Sequence, residues 1–167
     1  MTMTLSGTDG VLGNSGAFIA GTAVASTSGT SIDFTGIPSW VKRITVLFKG
    51  VSTSGTAFVM VQLGTGGTPT TTGYGGGAWQ TTVYTNVTNG MALSGNNVAT
   101  DVRNGAMTIT NLSGNTWVST AINFNDNPTG GAGAGSIALA GTLNMVRVTT
   151  VNGTDTFDAG TVNILYE

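Results

Sequence analysis

The sequence predicts an all-β protein: a two-sheet antiparallel sandwich of jelly-roll topology, preceded by a short N-terminal arm. Three observations carry that expectation. About eight to ten short apolar runs are separated by turn residues at roughly the 8–12-residue spacing of a sandwich. No stretch holds a convincing amphipathic-helix period. The ending, residues 137–167, alternates apolar and polar residues on both sides of an Asn152-Gly153 turn. There Val146 and Val148 share one face, with Met145, Arg147 and Thr149 on the other, and Val162, Ile164 and Tyr166 alternate again after the turn. The two runs are expected to pair as antiparallel strands, with the last one tied into a sheet.

Composition narrows the function classes. A chain of 167 residues fits one domain with a short appended segment. Apolar residues make up 40%, enough for a core, but charged residues only 7%, far below the roughly 25% of ordinary soluble domains. Thr, Ser, Asn and 27 glycines supply the remaining polarity. Such a surface is polar and nearly uncharged, which suits a protein that lives in an assembly or packs against copies of itself. The net charge is −2, and the cations are Lys42, Arg43, Lys49, Arg103 and Arg147. That set lacks the clustered charge that neutralises phosphates, so no nucleic-acid partner is expected. Cysteine and histidine are absent, which removes disulfides, thiol chemistry, Cys/His zinc sites and His-based triads. No apolar run reaches the length of a membrane-spanning helix, so no membrane insertion is expected. The first residues have no basic n-region or continuous apolar h-region, so no secretory signal is read there and synthesis is placed in a cytoplasm.

In chain order, residues 1–31 are rich in Gly, Ser, Thr and Ala, with scattered Leu5, Val11, Leu12, Phe18 and Ile19. They are expected to form a loosely structured arm, or an attachment arm that orders against a neighbouring subunit or a particle through those five residues. The sandwich domain is expected over residues 32–167. Ile32 and Phe34 precede a Gly36-Ile37-Pro38 turn. Ile44, Val46 and Phe48 then share one face of a strand that Trp40 caps. Ala57, Val59, Val61 and Leu63 face one way on the next strand, and the two are expected to form a hairpin with a longer loop. Residues 64–77, GTGGTPTTTGYGGG, lack the Lys and the helical pattern of a phosphate-binding loop and are expected to form a long surface loop. Tyr74 in that loop, with Trp79 and Tyr84 after it, suits sugar stacking or protein contact. The alternative for Trp79 and Tyr84 is a place in the core. Met107 and Ile109 are expected on one face of a later strand. In WVSTAINF, Val118, Ile122 and Phe124 are expected inward, Ser119 and Asn123 outward, and Trp117 on the face opposite Val118. Residues 125–135, NDNPTGGAGAG, are expected to form a second glycine-rich loop.

No catalytic site is expected. A glycosidase needs two carboxylates across the scissile bond. Asp155 and Asp158 are close in sequence but lie in turn-forming surroundings, where Asp caps backbone. Asn125-Asp126-Asn127 does not complete a calcium cage, so neither metal nor cofactor is expected.

The ending GTLNMVRVTTVNGTDTFDAGTVNILYE closely resembles the extreme C-terminus of many bacteriophage tail-fibre and related virion proteins. The stretch TSGTSIDFTGIPSWVKRITVLFKGVSTSGTAFVMVQLG, residues 27–64, resembles the start of the same domain. The resemblance implies a virion protein made in the host bacterial cytoplasm, whose sandwich forms the tip of a homotrimeric fibre. It further implies binding of a host-surface glycan or protein without chemistry, with Tyr74, Trp79 and Tyr84 as the receptor-contacting candidates. In the family this domain ordinarily ends a much longer fibre, whereas here a short arm precedes it. The rival expectation is therefore a capsid decoration or head-fibre protein docked on the phage head, or on another virion protein, through residues 1–31. A secreted carbohydrate-binding module is the non-viral alternative.

Overall fold

The computed structural model describes residues 18–95 and 97–167, together with the backbone of two short strands at residues 4–6 and 10–12. Among the described residues there are sixteen strands and no helix. In chain order they are β1 (Thr4–Ser6), β2 (Gly10–Leu12), β3 (Ile19–Ala20), β4 (Val24–Ala25), β5 (Ser31–Thr35), β6 (Arg43–Thr53), β7 (Val59–Thr65), β8 (Thr68–Pro69), β9 (Gly75–Gln80), β10 (Val83–Asn86), β11 (Met91–Ala92), β12 (Arg103–Ser113), β13 (Thr116–Asn125), β14 (Thr129–Ala138), β15 (Met145–Thr150) and β16 (Phe157–Tyr166). A nine-stranded sheet runs β10-β9-β14-β13-β12-β6-β16-β3, with β4 also on β16. A five-stranded sheet runs β11-β7-β15-β5, with β8 on β7. The two antiparallel sheets pack together as a sandwich. Ile44, Val46 and Phe48 of the large sheet meet Val61, Leu63, Val146 and Val148 of the small one, and Met107, Ile109, Val162 and Ile164 extend the same core. The expected one-sided patterns of β6 and β12 are therefore the patterns of core strands.

Two expected hairpins are absent. β15 lies between β5 and β7 in the small sheet, whereas β16 lies on β6 in the large one. The Asn152-Gly153 turn thus carries the chain from one sheet to the other. The Asn152 side-chain oxygen accepts from the Thr154 and Asp155 amides at 3.0 and 3.2 Å. Asp155 in turn accepts from the Ala57 amide at 2.9 Å, which ties this corner to the one before β7. β6 and β7 likewise sit on different sheets, β6 between β12 and β16, and β7 between β11 and β15. Period-two alternation identifies a strand and its buried face, but both sheets of a sandwich present the same signal.

The glycine-rich segments are also more regular than expected. Residues 129–138 form β14, ten residues paired along β13, and Gly75–Gly77 open β9 beside it. Glycine is needed here for close approach. A Cβ on Gly133 would fall on the Ala92 carbonyl oxygen, and one on Gly131 would stand 2.7 Å from Ser94 Cβ. The expected break between arm and domain at residue 31 is not where the chain joins the sandwich. Ile19 and Ala20 pair with Tyr166 and Leu165, and Val24 and Ala25 with Val162 and Thr161. This segment satisfies the open edge of β16, a row of backbone donors and acceptors that would otherwise be unpaired. Ser26 is sealed there, donating to the Ala159 carbonyl at 2.7 Å. β1 and β2 pair with each other in a separate two-stranded sheet.

Tyr74 corrects another expectation. It is 4% exposed and belongs to the core, not to a surface loop. Its hydroxyl accepts from the Leu63 amide at 2.8 Å and donates to the Leu63 carbonyl at 3.3 Å. A central strand with a buried backbone needs its bonds made. The Leu63 carbonyl also accepts from the Thr70 amide at 2.8 Å, so it is the Leu63 amide that depends on the phenol. Burial raises the Tyr74 pKa to about 12, the bond with Leu63 opposing the shift. Trp40 does sit against the core, its ring 6.1 Å from that of Tyr166. Tyr74→Phe should cost about 1–3 kcal/mol by leaving the Leu63 amide without its acceptor, read as a lowered melting temperature. In the wild type the raised folded pKa means that stability is intact below the phenol's ordinary value and falls as pH rises from about 10 to about 12. The phenylalanine variant should lose that part of the slope, and an identical alkaline profile in both proteins would contradict the assignment.

Candidate binding face

The outer face of the large sheet, at its β10–β13 end, departs from an ordinary solvated surface. Cross-strand partners share a face, so the register lines up Tyr84, Trp79, Ala132, Ile122 and Ala106 as one row. In the adjoining rows Phe124 pairs Gly130, and Ala134 lies between Gly77 and Thr120. Large side chains on β9, β10 and β13 therefore flank β14, whose outward residues are Gly130, Ala132 and Ala134. The result is a trough with aromatic and aliphatic walls and a floor close to bare backbone. Two adjoining hollows of about 620 and 630 Å³ occupy it, and Trp79, Ile122 and Ala132 line both.

Trp79 is 45% exposed, Tyr84 79%, Ile122 75% and Phe124 56%. Three aromatics and an isoleucine at those exposures present on the order of 400–500 Å² of side chain. That is as large as the apolar patches soluble monomers ordinarily leave uncovered. Among the described residues neither hollow is lined by a charged side chain, and the polar groups at its margin are neutral, such as Asn86, Asn104 and Thr120. The β9–β10 hairpin that carries Trp79 and Tyr84 lies at the edge of the sheet. It turns through Thr81, whose φ of 53° is in the left-handed region that β-branched residues rarely adopt.

Beneath this end of the sheet, facing the interior, is a polar cluster around Arg103, which is 1% exposed. Its guanidinium donates to Asp101 at 2.8 Å, Ser94 at 2.8 Å, Asn125 at 3.0 Å and Gln80 at 3.4 Å. It also donates to Asn97, through Nε at 3.1 Å and through a second, shorter bond from Nη2. Burial pulls the Arg103 pKa below its ordinary value, and the Asp101 carboxylate beside it pulls it back up. Asn97 Nδ2 further reaches Thr53 Oγ1 and the Gly55 and Ala57 carbonyls at 3.0–3.2 Å, so the cluster also holds the corner that leads into β7.

This cluster explains why the expected facing of β13 is reversed. Trp117, Ser119, Ala121, Asn123 and Asn125 point inward, whereas Val118, Thr120, Ile122 and Phe124 point out. Asn123 donates to the Leu93 and Gly131 carbonyls, and Asn125 accepts from Arg103. β13 carries apolar residues on both faces, so period alone leaves the choice open, and the buried guanidinium's demand for polar partners decides it.

Of the receptor candidates, Trp79 and Tyr84 come together as cross-strand partners on the open face, and Tyr74 does not join them. Of the attachment candidates, Phe18 is exposed with the Arg43 guanidinium 5.7 Å above its ring, and Ile19 is half-buried in β3. Leu5 and Val11 are backbone partners in the β1–β2 hairpin, with Thr4 opposite Leu12. The side chains of Leu5, Val11 and Leu12 lie outside the described residues. Ile122, Phe124 and the β14 floor were missed as surface features. The alternating Gly and Ala of GAGAG, residues 131–135, is the signal that could have found the floor, since a run without large side chains leaves its stretch of sheet low on both faces. Comparison with protein families, with characterised proteins and with solved structures returned no match.

Ile122→Thr and Phe124→Ser test the exposure of the face. Each should leave stability within about 0.5 kcal/mol of wild type, as for other surface positions. Each should also reduce binding of the neutral apolar dye Nile red. A loss of several kcal/mol would place these side chains inside a core instead.

Proposed function

We propose that this chain is a structural protein of a bacteriophage virion, a tail-fibre-tip-like module that binds a host-surface receptor, glycan or protein, without catalysis. The observation that carries the reading is the uncharged outer face with Trp79, Tyr84, Ile122 and Phe124 ranged around a glycine and alanine floor. Rigid aromatics beside small residues provide contact area at low entropic cost, and neutral polar groups at the margin can align a partner. The resemblance of residues 27–64 and of the C-terminal segment to virion proteins supplies the setting. Assembly as a homotrimer, residence in the virion and a jelly-roll topology belong to the same proposal. The passages from β6 to β7 and from β15 to β16, each crossing between sheets, are the kind of connection such a topology uses.

A second reading, a decoration or head-fibre protein docked on the capsid, is favoured by the β1–β2 hairpin, which pairs in a sheet separate from both layers of the sandwich. Removing residues 1–17 should then leave the sandwich folded and abolish its incorporation into particles.

Antibody labelling of intact virions, viewed by electron microscopy, separates the readings. Label at the tail end, with at least about tenfold weaker host adsorption for Trp79→Ala at unchanged folding, is the outcome expected of receptor binding. Label over the head supports the decoration reading, and no label on any particle removes both.

A further inference from the structure

We propose that Arg103, Gln80, Thr129 and Asn125 form the positioning device of the binding face, fixing from inside the sandwich the separation of its two walls. The inference rests on the reading of that face as a binding surface, and it adds the residues that set its shape.

The four side chains close a ring of hydrogen bonds across four strands. Arg103 Nη1, on β12, donates to Asn125 Oδ1 on β13 at 3.0 Å and to Gln80 Oε1 on β9 at 3.4 Å. Gln80 Nε2 and Asn125 Nδ2 both donate to Thr129 Oγ1 on β14, at 3.1 and 3.3 Å. The Thr129 hydroxyl donates onward to the Asn127 carbonyl at 3.0 Å, so it is used both as acceptor and as donor. β9 and β13 are not neighbours, because β14 runs between them. The ring therefore joins two strands that share no backbone ladder.

Gln80 follows Trp79 directly, and Asn125 follows Phe124. Successive residues of a strand point to opposite faces, so these two ring members each lie under a wall residue of the trough. Gly131, between the two walls on β14, lets Ser94 and the Arg103 cluster come up against the sheet, since a Cβ there would stand 2.7 Å from Ser94 Cβ. The wall on the Trp79 side needs such a brace. Its hairpin is at the sheet edge, and its turn holds Thr81 in an unfavourable conformation, so neither a further strand nor the turn itself secures it. Asp101 and Asn97 hold the guanidinium from its other side, which fixes the point from which the ring is hung.

Thr129→Val breaks the ring while leaving Arg103 its bonds to Asp101, Asn97, Ser94 and Asn125. The measurement is fluorine NMR of the full chain labelled with 5-fluorotryptophan. The three tryptophans give three signals, with Trp79 assigned from Trp79→Phe and Trp40 and Trp117 serving as references within the same molecule. The expected result is that Thr129→Val shifts or splits the Trp79 signal and leaves the other two in place. Amide exchange in β9 and β10 should rise at least tenfold while that of β6 and β16 is unchanged, and Thr129→Ser, which keeps the hydroxyl, should restore both readouts. An unmoved Trp79 signal overturns the proposal. So do three signals moving together with a uniform rise in exchange, or a serine variant that behaves like the valine one. Should Thr129→Val fail to fold, Gln80→Met carries the same expected and overturning results. Host adsorption indifferent to Trp79 would remove the functional reading and leave the fluorine result standing, whereas a failed fluorine result would remove the brace and leave the functional reading intact.

Discussion

The buried guanidinium of Arg103 is the constraint on which this end of the sandwich depends. A charge taken out of water is tolerated only where it is paired and its remaining donors are used. Here a carboxylate, two asparagines, a serine and a glutamine meet that demand. Those partners have to point inward, and the strands that carry them are oriented accordingly. Asn123 and Asn125 inward means Ile122 and Phe124 outward, and Gln80 inward means Trp79 outward. The apolar face is thus a consequence of the polar interior beneath it. Removing the cation would leave Asp101 buried and unpaired, which costs on the order of 3–5 kcal/mol in comparable buried pairs.

Glycine makes the same arrangement possible in another way. β14 and the start of β9 would be poor strands by propensity, because glycine loses more freedom on ordering than any other residue. Their ladders nonetheless form, with β14 paired to β13 along its whole length and to β9 from Gly131 to Ser136. Two gains offset the entropic cost. On the inner face, Gly131 and Gly133 allow Ser94 and the Ala92 carbonyl to close on the sheet. On the outer face, Gly130 and its alanine neighbours leave a floor low enough for the flanking side chains to stand as walls. One strand therefore shapes both surfaces, and substitution at Gly131 or Gly133 acts on packing, whereas a Cβ at Gly130 would meet its neighbours at ordinary contact distance.

Much of the fold was legible in the sequence, and the parts that were not have identifiable causes. The all-β class, the inward faces of β6, β12 and β16, and the separation of Val146 and Val148 from Arg147 follow from period-two alternation, because one side of each strand holds most of its large apolar residues, with exceptions such as Leu47, Met145 and Leu165 on the other. Strand partnership was not legible. The Asn152-Gly153 turn has hairpin chemistry, yet β15 and β16 each find neighbours far away in sequence, and a local turn signal carries nothing about those. Tyr74 was misplaced because the loop around it is glycine-rich and polar, while its burial is set by the Leu63 backbone, eleven residues away in sequence. Trp79 and Tyr84 were picked out as aromatics in polar surroundings. Their opposite wall was not, because Ile122 and Phe124 look like core residues until the Arg103 cluster is known. That cluster draws on six separate positions between Gln80 and Asn125, each unremarkable on its own.

The near absence of charge now has a specific consequence. An exposed apolar face on a protein with many surface charges is ringed by groups that repel a wrong partner, and specificity then comes partly from charge. This face has no charged lining among the described residues, so under the proposed reading discrimination there would rest on shape, the depth of the floor and the spacing of the walls, and on the neutral polar groups at the margin. Shape is only as selective as it is rigid, since a wall that shifts by an ångström admits other partners at little cost. If the face binds as proposed, low surface charge and a closed ring of hydrogen bonds under the trough are two parts of one solution. The first would remove electrostatic selection, and the second would provide the rigidity that shape selection requires.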